Sequence, residues 1–128
     1  MYFIDGKPST VVKLLVGTGG VTKGHLCVLS SNTVVLAAAA ATDATVLGIA
    51  TETAIEGALA SIELCGDRII RSEYAGTASN LATCKEFDLT DSNTVNINDT
   101  TGGIFLCVGY NTTNTTIDGI ITAVHRAV

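Results

Sequence analysis

Turn-forming residues interrupt this chain roughly every eight to twelve positions, and that spacing limits what it can fold into. Gly17-Thr18-Gly19-Gly20, Ser30-Ser31-Asn32-Thr33, Ile55-Glu56-Gly57, Gly66-Asp67, Thr100-Thr101-Gly102-Gly103 and the stretch Asn111 to Thr116 separate short apolar runs. Runs of that length suit strands, and no long helical periodicity or internal repeat competes with them. The interior has to be aliphatic, because 47% of the 128 residues are hydrophobic but only 5% are aromatic, with no Trp. A single Pro, 13 Gly and abundant Thr fit strands joined by glycine turns better than a helical bundle. The length suits one domain with a sizeable core. High hydrophobicity with little charge excludes classical disorder. The expected fold is all-β: a compact β-sandwich or partly open β-barrel with short loops and at most one short helix.

Taken in order, residues 1–10 read as an N-terminal arm or edge strand and residues 11–128 as a single β-rich domain. Pro8 cannot donate to a ladder and should end the first piece. Strands are expected at Val11 to Val16, His25 to Leu29 and Val34 to Ala41, and then at Val46 to Ala50 and Ala58 to Leu64. Further strands are expected at Asp67 to Ser72, Glu86 to Leu89, Asp91 to Asn98, Ile104 to Gly109 and Ile117 to Val128. Tyr74 to Ala82 reads as a loop or short helix. Thr42 to Leu64 is the expected middle of the fold, with Gly48 and Gly57 bending or turning the chain.

A formal net charge of −5 sets the surface against phosphate backbones, so no direct nucleic-acid partner is expected. Lys and Arg are scattered singly, with Arg68 and Arg71 flanking Ile69-Ile70, and read as solvated charges. Met1-Tyr2-Phe3-Ile4 meets Asp5 at once, which leaves no apolar stretch of signal length. Ala37 to Ala41 is the most uniform apolar run and is far too short to span a bilayer. The expectation is a cytoplasmic product with no membrane partner.

Candidate chemistry is sparse. Cys27, Cys65, Cys84 and Cys107 form no C-x-x-C pair, so no zinc site is expected. Cys27, Cys65 and Cys107 sit in apolar runs and read as buried free thiols. Val16 to Gly24 is glycine-rich but misses the phosphate-loop spacing, and it leads into a strand-like run rather than a helix. His25 or His125 could meet a thiol in a nucleophilic pair, but a structural or surface role fits both better. Asp88, Asp91 and Asp99 lie among asparagines without calcium-loop spacing, and read as turn formers. Glu52, Glu56 and Glu63 read as solvent-facing. Asn98, Asn111 and Asn114 match the glycosylation pattern by chance in an Asn/Thr-rich region. No catalytic residue, metal or cofactor is expected. The apolar terminus Met1, Tyr2, Phe3 and Ile4 is the candidate interface, tied down either on its own core or on a partner.

Several segments share an order of glycine, strand and turn: Lys23 to Leu29, Thr45 to Ala50 with Thr53, Ala54 and Gly57, Glu86 to Thr90, and Gly103 to Tyr110. From about Val11 to Val128 this order resembles the capsid decoration, or head cement, proteins of tailed bacteriophages. The resemblance implies a β-rich structural virion protein without enzymatic activity. It would bind the major capsid protein on the capsid exterior, act as a homo-oligomer such as a trimer, and be assembled in a bacterial cytoplasm. The alternatives are a small β-sandwich binding module for carbohydrate or a cell surface and, less favoured, a cysteine-dependent enzyme.

Overall fold

The computed structural model describes residues 1–39 and 45–122. Its strands are β1 (Tyr2–Phe3), β2 (Val11–Leu15), β3 (Leu26–Ser30), β4 (Thr33–Leu36), β5 (Val46–Ala50) and β6 (Leu59–Leu64). They continue with β7 (Ile70–Ala75), β8 (Glu86–Asp91), β9 (Thr94–Asn96), β10 (Phe105–Asn111) and β11 (Thr116–Ile121). A 3-10 turn, Ala78–Asn80, lies between β7 and β8. The chain is all-β, as its punctuation implies.

One sheet runs β1-β7-β11-β10-β8-β9, and β9 pairs back onto β7. That last pairing is parallel, and it closes β7, β11, β10, β8 and β9 into a barrel. The other sheet runs β2-β6-β5-β3-β4 and is antiparallel throughout. Its two edges touch where Val16 bridges Val34, and Gly17 N donates to Val34 O at 2.9 Å.

Two hydrophobic cores result. The barrel core holds Phe87, Phe105, Ile70, Leu89, Val95, Ile104, Ile117 and Ile121, joined by Leu26 and Ile49 from the second sheet. The smaller core holds Val16, Val21, Cys27, Val34, Ala50, Ala60 and Ile62. Strand neighbours point to opposite faces, so Leu26 fills one core and Cys27 the other, and both are fully buried. Strand β3 is thus a wall shared by the two cores.

The turns follow from local chemistry. Ser31 (φ 47) and Asn32 (φ 65) both take left-handed backbone between the paired residues Ser30 and Thr33. This is the two-residue hairpin geometry whose twist matches the flanking strands. Asp91, Asn96 and Asp99 each accept from the amide two residues on, at 2.8, 3.0 and 2.9 Å, which makes them turn formers. Asn111 Oδ1 does the same for Thr113 and Asn114 in the β10–β11 connection.

Several boundaries differ from expectation. Strand β7 starts at Ile70, because Arg68 N closes a turn onto Cys65 O at 2.8 Å. It then runs on through Tyr74 and Ala75, since β9 supplies a partner there. The Asp91–Asn98 alternation is split: Asp91 ends β8, Ser92-Asn93 form the turn out of it, and Thr94–Asn96 is β9. Strand β4 ends at Leu36; residues 40–44, including Thr42, lie outside the described residues, as do 123–128 at the end of the expected last strand. Gly57, with φ +87, is a turn glycine as expected. Gly48 does not turn the chain: it sits in β5, and a Cβ there would run into the carbonyl oxygen of Glu63 on β6. Its role is close approach of two backbones.

Candidate interaction surface

The N-terminal residues are an edge strand on their own barrel. Tyr2 and Phe3 pair with Arg71 and Ile70, and Ile4 N donates to Ile69 O at 3.0 Å. The same edge of β7 continues into β9, where Glu73 pairs with Thr94. Strand β1 therefore extends the rung that β9 leaves short. The Met1 amino group bridges the junction, donating to Gly24 O (2.9 Å) and Asn93 Oδ1 (2.8 Å). Desolvation lowers the pKa of that amine, with the Glu73 charge opposing it.

A buried ion pair fastens the segment further. Asp5 Oδ1 accepts from Arg68 Nε (3.2 Å) and Nη2 (3.1 Å), and Asp5 Oδ2 accepts from Ile69 N (2.8 Å). Arg68 Nη1 donates to Ser9 Oγ at 2.8 Å and lies 3.6 Å from Glu63 Oε1. The guanidinium also covers the Phe3 ring, 4.1 Å from its centroid. Burial opposes the Asp5 charge, but amide bonds from Ile69 and Lys7 and the Arg68 guanidinium outweigh it and hold the carboxyl below its usual range. Arg68 and Glu63 are thus not the solvated charges their sequence context implies. Arg68 is buried because Asp5 can reach it, and Glu63 is half-buried beside it.

Of the four candidate interface residues, Met1 and Phe3 pack on the barrel core. Tyr2 is 57% exposed and Ile4 sits on the boundary of exposure. Tyr2 stands in an outward row with Arg71 and Asp118, whose side chains form a two-point ion pair: Nε–Oδ1 2.8 Å and Nη2–Oδ2 2.9 Å. Asp118, and then Tyr2, hold the Arg71 charge more firmly than usual.

A second surface was not singled out in the sequence. Val11, Lys13 and Leu15 on β2 face the same way as Leu59, Ser61 and Glu63 on β6, with Leu15 directly opposite Leu59. Leu15 is 47% and Leu59 58% exposed. Further across this face Ile49 and Leu26 are covered by the barrel, so the apolar strip is the part the barrel does not reach. Among the described residues, no strand pairs along the outer edge of β2 from Val11 to Leu15. At the near end, Ile55 stands 79% exposed beside exposed Glu52 and Glu56. The period-two alternation of β2 was legible, but which of its faces would be covered depends on where the barrel sits.

The chemistry-bearing residues are otherwise absorbed into structure. Cys27, Cys65 and Cys107 are buried, and desolvation pushes the Cys27 and Cys65 thiols up to about 11 and the Cys107 thiol upward as well. Cys84 is exposed. His25 Nδ1 is bonded to Ser92 Oγ at 2.7 Å, while His125 lies outside the described residues. The glycine-rich connection leads into β3 and packs on the β5–β6 turn, where Val21 and Ala54 exchange amide bonds at 2.9 and 3.0 Å. Asp88 is buried, with Oδ1 on the amide of Leu89. Asn98 Oδ1 accepts from Thr77 N and Asn80 Nδ2, both at 2.9 Å. Among the described residues, no cluster of three His, Cys, Asp or Glu side chains could hold a metal ion. Nor is any helix there long and apolar enough to cross a membrane.

No protein-family model matches the chain, and no curated protein matches it significantly.

Proposed function

We propose that this chain is a structural virion protein that binds the outer surface of a phage capsid and stabilises the expanded shell. The observation that carries this reading is the exposed pair Leu15 and Leu59, with Val11 beyond Lys13, along an open sheet edge of an otherwise acidic β-scaffold. Open strand edges with apolar side chains are surfaces on which another chain docks. The partner in this reading is the major capsid protein, and the docked form is a homo-oligomer, a trimer by the family resemblance. A ligand that binds the expanded shell but not its precursor stabilises the former by mass action. Weak contacts repeated by symmetry then add through multivalency.

The test is to mix the purified protein with emptied shells of a tailed phage, in precursor and expanded forms, and to measure co-sedimentation. Selective binding to the expanded shell, lost in Leu15→Lys and Leu59→Lys, is the expected result. Equal binding to both forms, or none to either, removes the proposal.

One observation favours a second reading, a small binding module for carbohydrate. Tyr2, Arg71 and Asp118 place an exposed ring beside a fixed ion pair, and Gly109 opposite Asp118 leaves open floor next to them. A sugar ring stacks on such an aromatic and bonds to such a pair. Glycan binding that disappears in Tyr2→Ala, with no capsid binding, would select it.

A further inference from the structure

The barrel's shortest seam is between β8 and β10, where only Glu86–Leu106 and Phe87–Phe105 are register partners. Just before β8 the ladder is irregular. Cys84 N donates to Cys107 O at 2.8 Å, while Cys107 N donates to Lys85 O at 2.9 Å. Two residues thus face one, which is a β-bulge. Its first position takes left-handed backbone that glycine ordinarily supplies; here it is Cys84, with φ +67. A non-glycine residue held in this region at a functional site is a recurrent use of local strain. The Cys84 side chain is exposed and Cys107 is buried, its Sγ 3.5 Å from Gly109 O.

We propose that Cys84 and Cys107 are a reversible redox pair that staples β8 to β10 across this bulge. The Cys84 N–H to Cys107 O bond sets the two backbones side by side at the bulge. A disulfide spans roughly 4.4–6.8 Å between Cα atoms. Cys84 is exposed and Cys107 is buried, so closing the bridge has to turn the Cys84 side chain inward, which strains the bridge and makes it easily reduced. The oxidant is a low-molecular-weight disulfide, and the reaction is thiol–disulfide exchange. Cys84, the accessible thiol, loses its proton and attacks one sulfur of oxidised glutathione. One glutathione leaves as the thiolate and takes up a proton, and a mixed disulfide remains on Cys84. Cys107 loses its proton, attacks Cys84 Sγ and expels the second glutathione, which is protonated in turn. The protein gives up two electrons and two protons, and the glutathione disulfide takes up both. Burial of the Cys107 thiol makes the second step the slow one.

The experiment treats the native full chain with oxidised glutathione, counts free thiols after denaturation, and maps peptides without reductant. Loss of two of the four thiols, with one peptide linking Cys84 to Cys107, is the expected result, together with a higher thermal midpoint that a monothiol reverses. Cys84→Gly, which suits the bulge backbone, is expected to form no internal link and to keep its three remaining thiols. A stable glutathione adduct on Cys84, or a link from Cys84 to a second chain, overturns the proposal. Both are read on the wild-type protein, so neither depends on a variant folding.

Discussion

Single residues carry two measurable consequences. Asp5 has a folded pKa below its ordinary value of 3.8, so the stability it adds is present above that value and is lost as pH falls through the lowered one. The thermal midpoint of the wild type should therefore drop on acidification below about pH 4. In Asp5→Asn the midpoint should be lower at neutral pH and flatter across that range, as scanning calorimetry would read. Gly48→Ala forces a methyl against the Glu63 carbonyl, between two backbones that cannot part without breaking the β5–β6 pairing. Overpacking of this kind costs about 1–3 kcal/mol, and chemical denaturation should report a loss in that range. The thiols bear on the enzyme reading through their exposure. One of the four, Cys84, should react quickly in the native state because it is exposed. Rapid labelling at that single position marks exposure, not catalysis.

At the scale of elements, the N-terminal strand is the informative case. The apolar terminus was legible as something tied down, and the alternation within it separates its faces: Met1 and Phe3 inward, Tyr2 outward. Removing residues 1–8 takes Asp5 from buried Arg68 and Phe3 from the core, so the deletion should lower the thermal midpoint. Tyr2→Ser should leave the denaturation midpoint within about 0.5 kcal/mol of wild type, whereas Phe3→Ala should lower it clearly. Turn chemistry made most strands legible, because Asn32, Gly57, Asp99 and Asn111 act through their own backbone neighbours. Strands β1 and β9 were not placed on one edge of β7, since two or three residues give no periodicity and their partners lie far along the chain. Arg68 was misread for the same reason: its neighbours in sequence do not reveal Asp5. The strip on β2 was legible as alternation, but its exposure was not.

The whole molecule is two cores divided by β3. Leu26 and Cys27 are adjacent in sequence and fully buried in different cores, so damage to one side reaches the other through a shared backbone. Leu26→Ala should cost about 2–5 kcal/mol, as for other buried leucines. The loss should appear as one shifted transition with coincident probes, not as separate melting of barrel and sheet.

The position of β1 also bears on how the protein is made. Tyr2 and Phe3 leave the ribosome well before Arg71 and Ile70, and before Asn93, which receives the Met1 amine. Until β7 has emerged, strand β1 has no strand to pair with. Its side chains stay unpaired while the residues up to Arg71 are made. Pairing across such a separation is slow to close. Residues 2 and 3 thus wait longer for their partners than the hairpin strands around them.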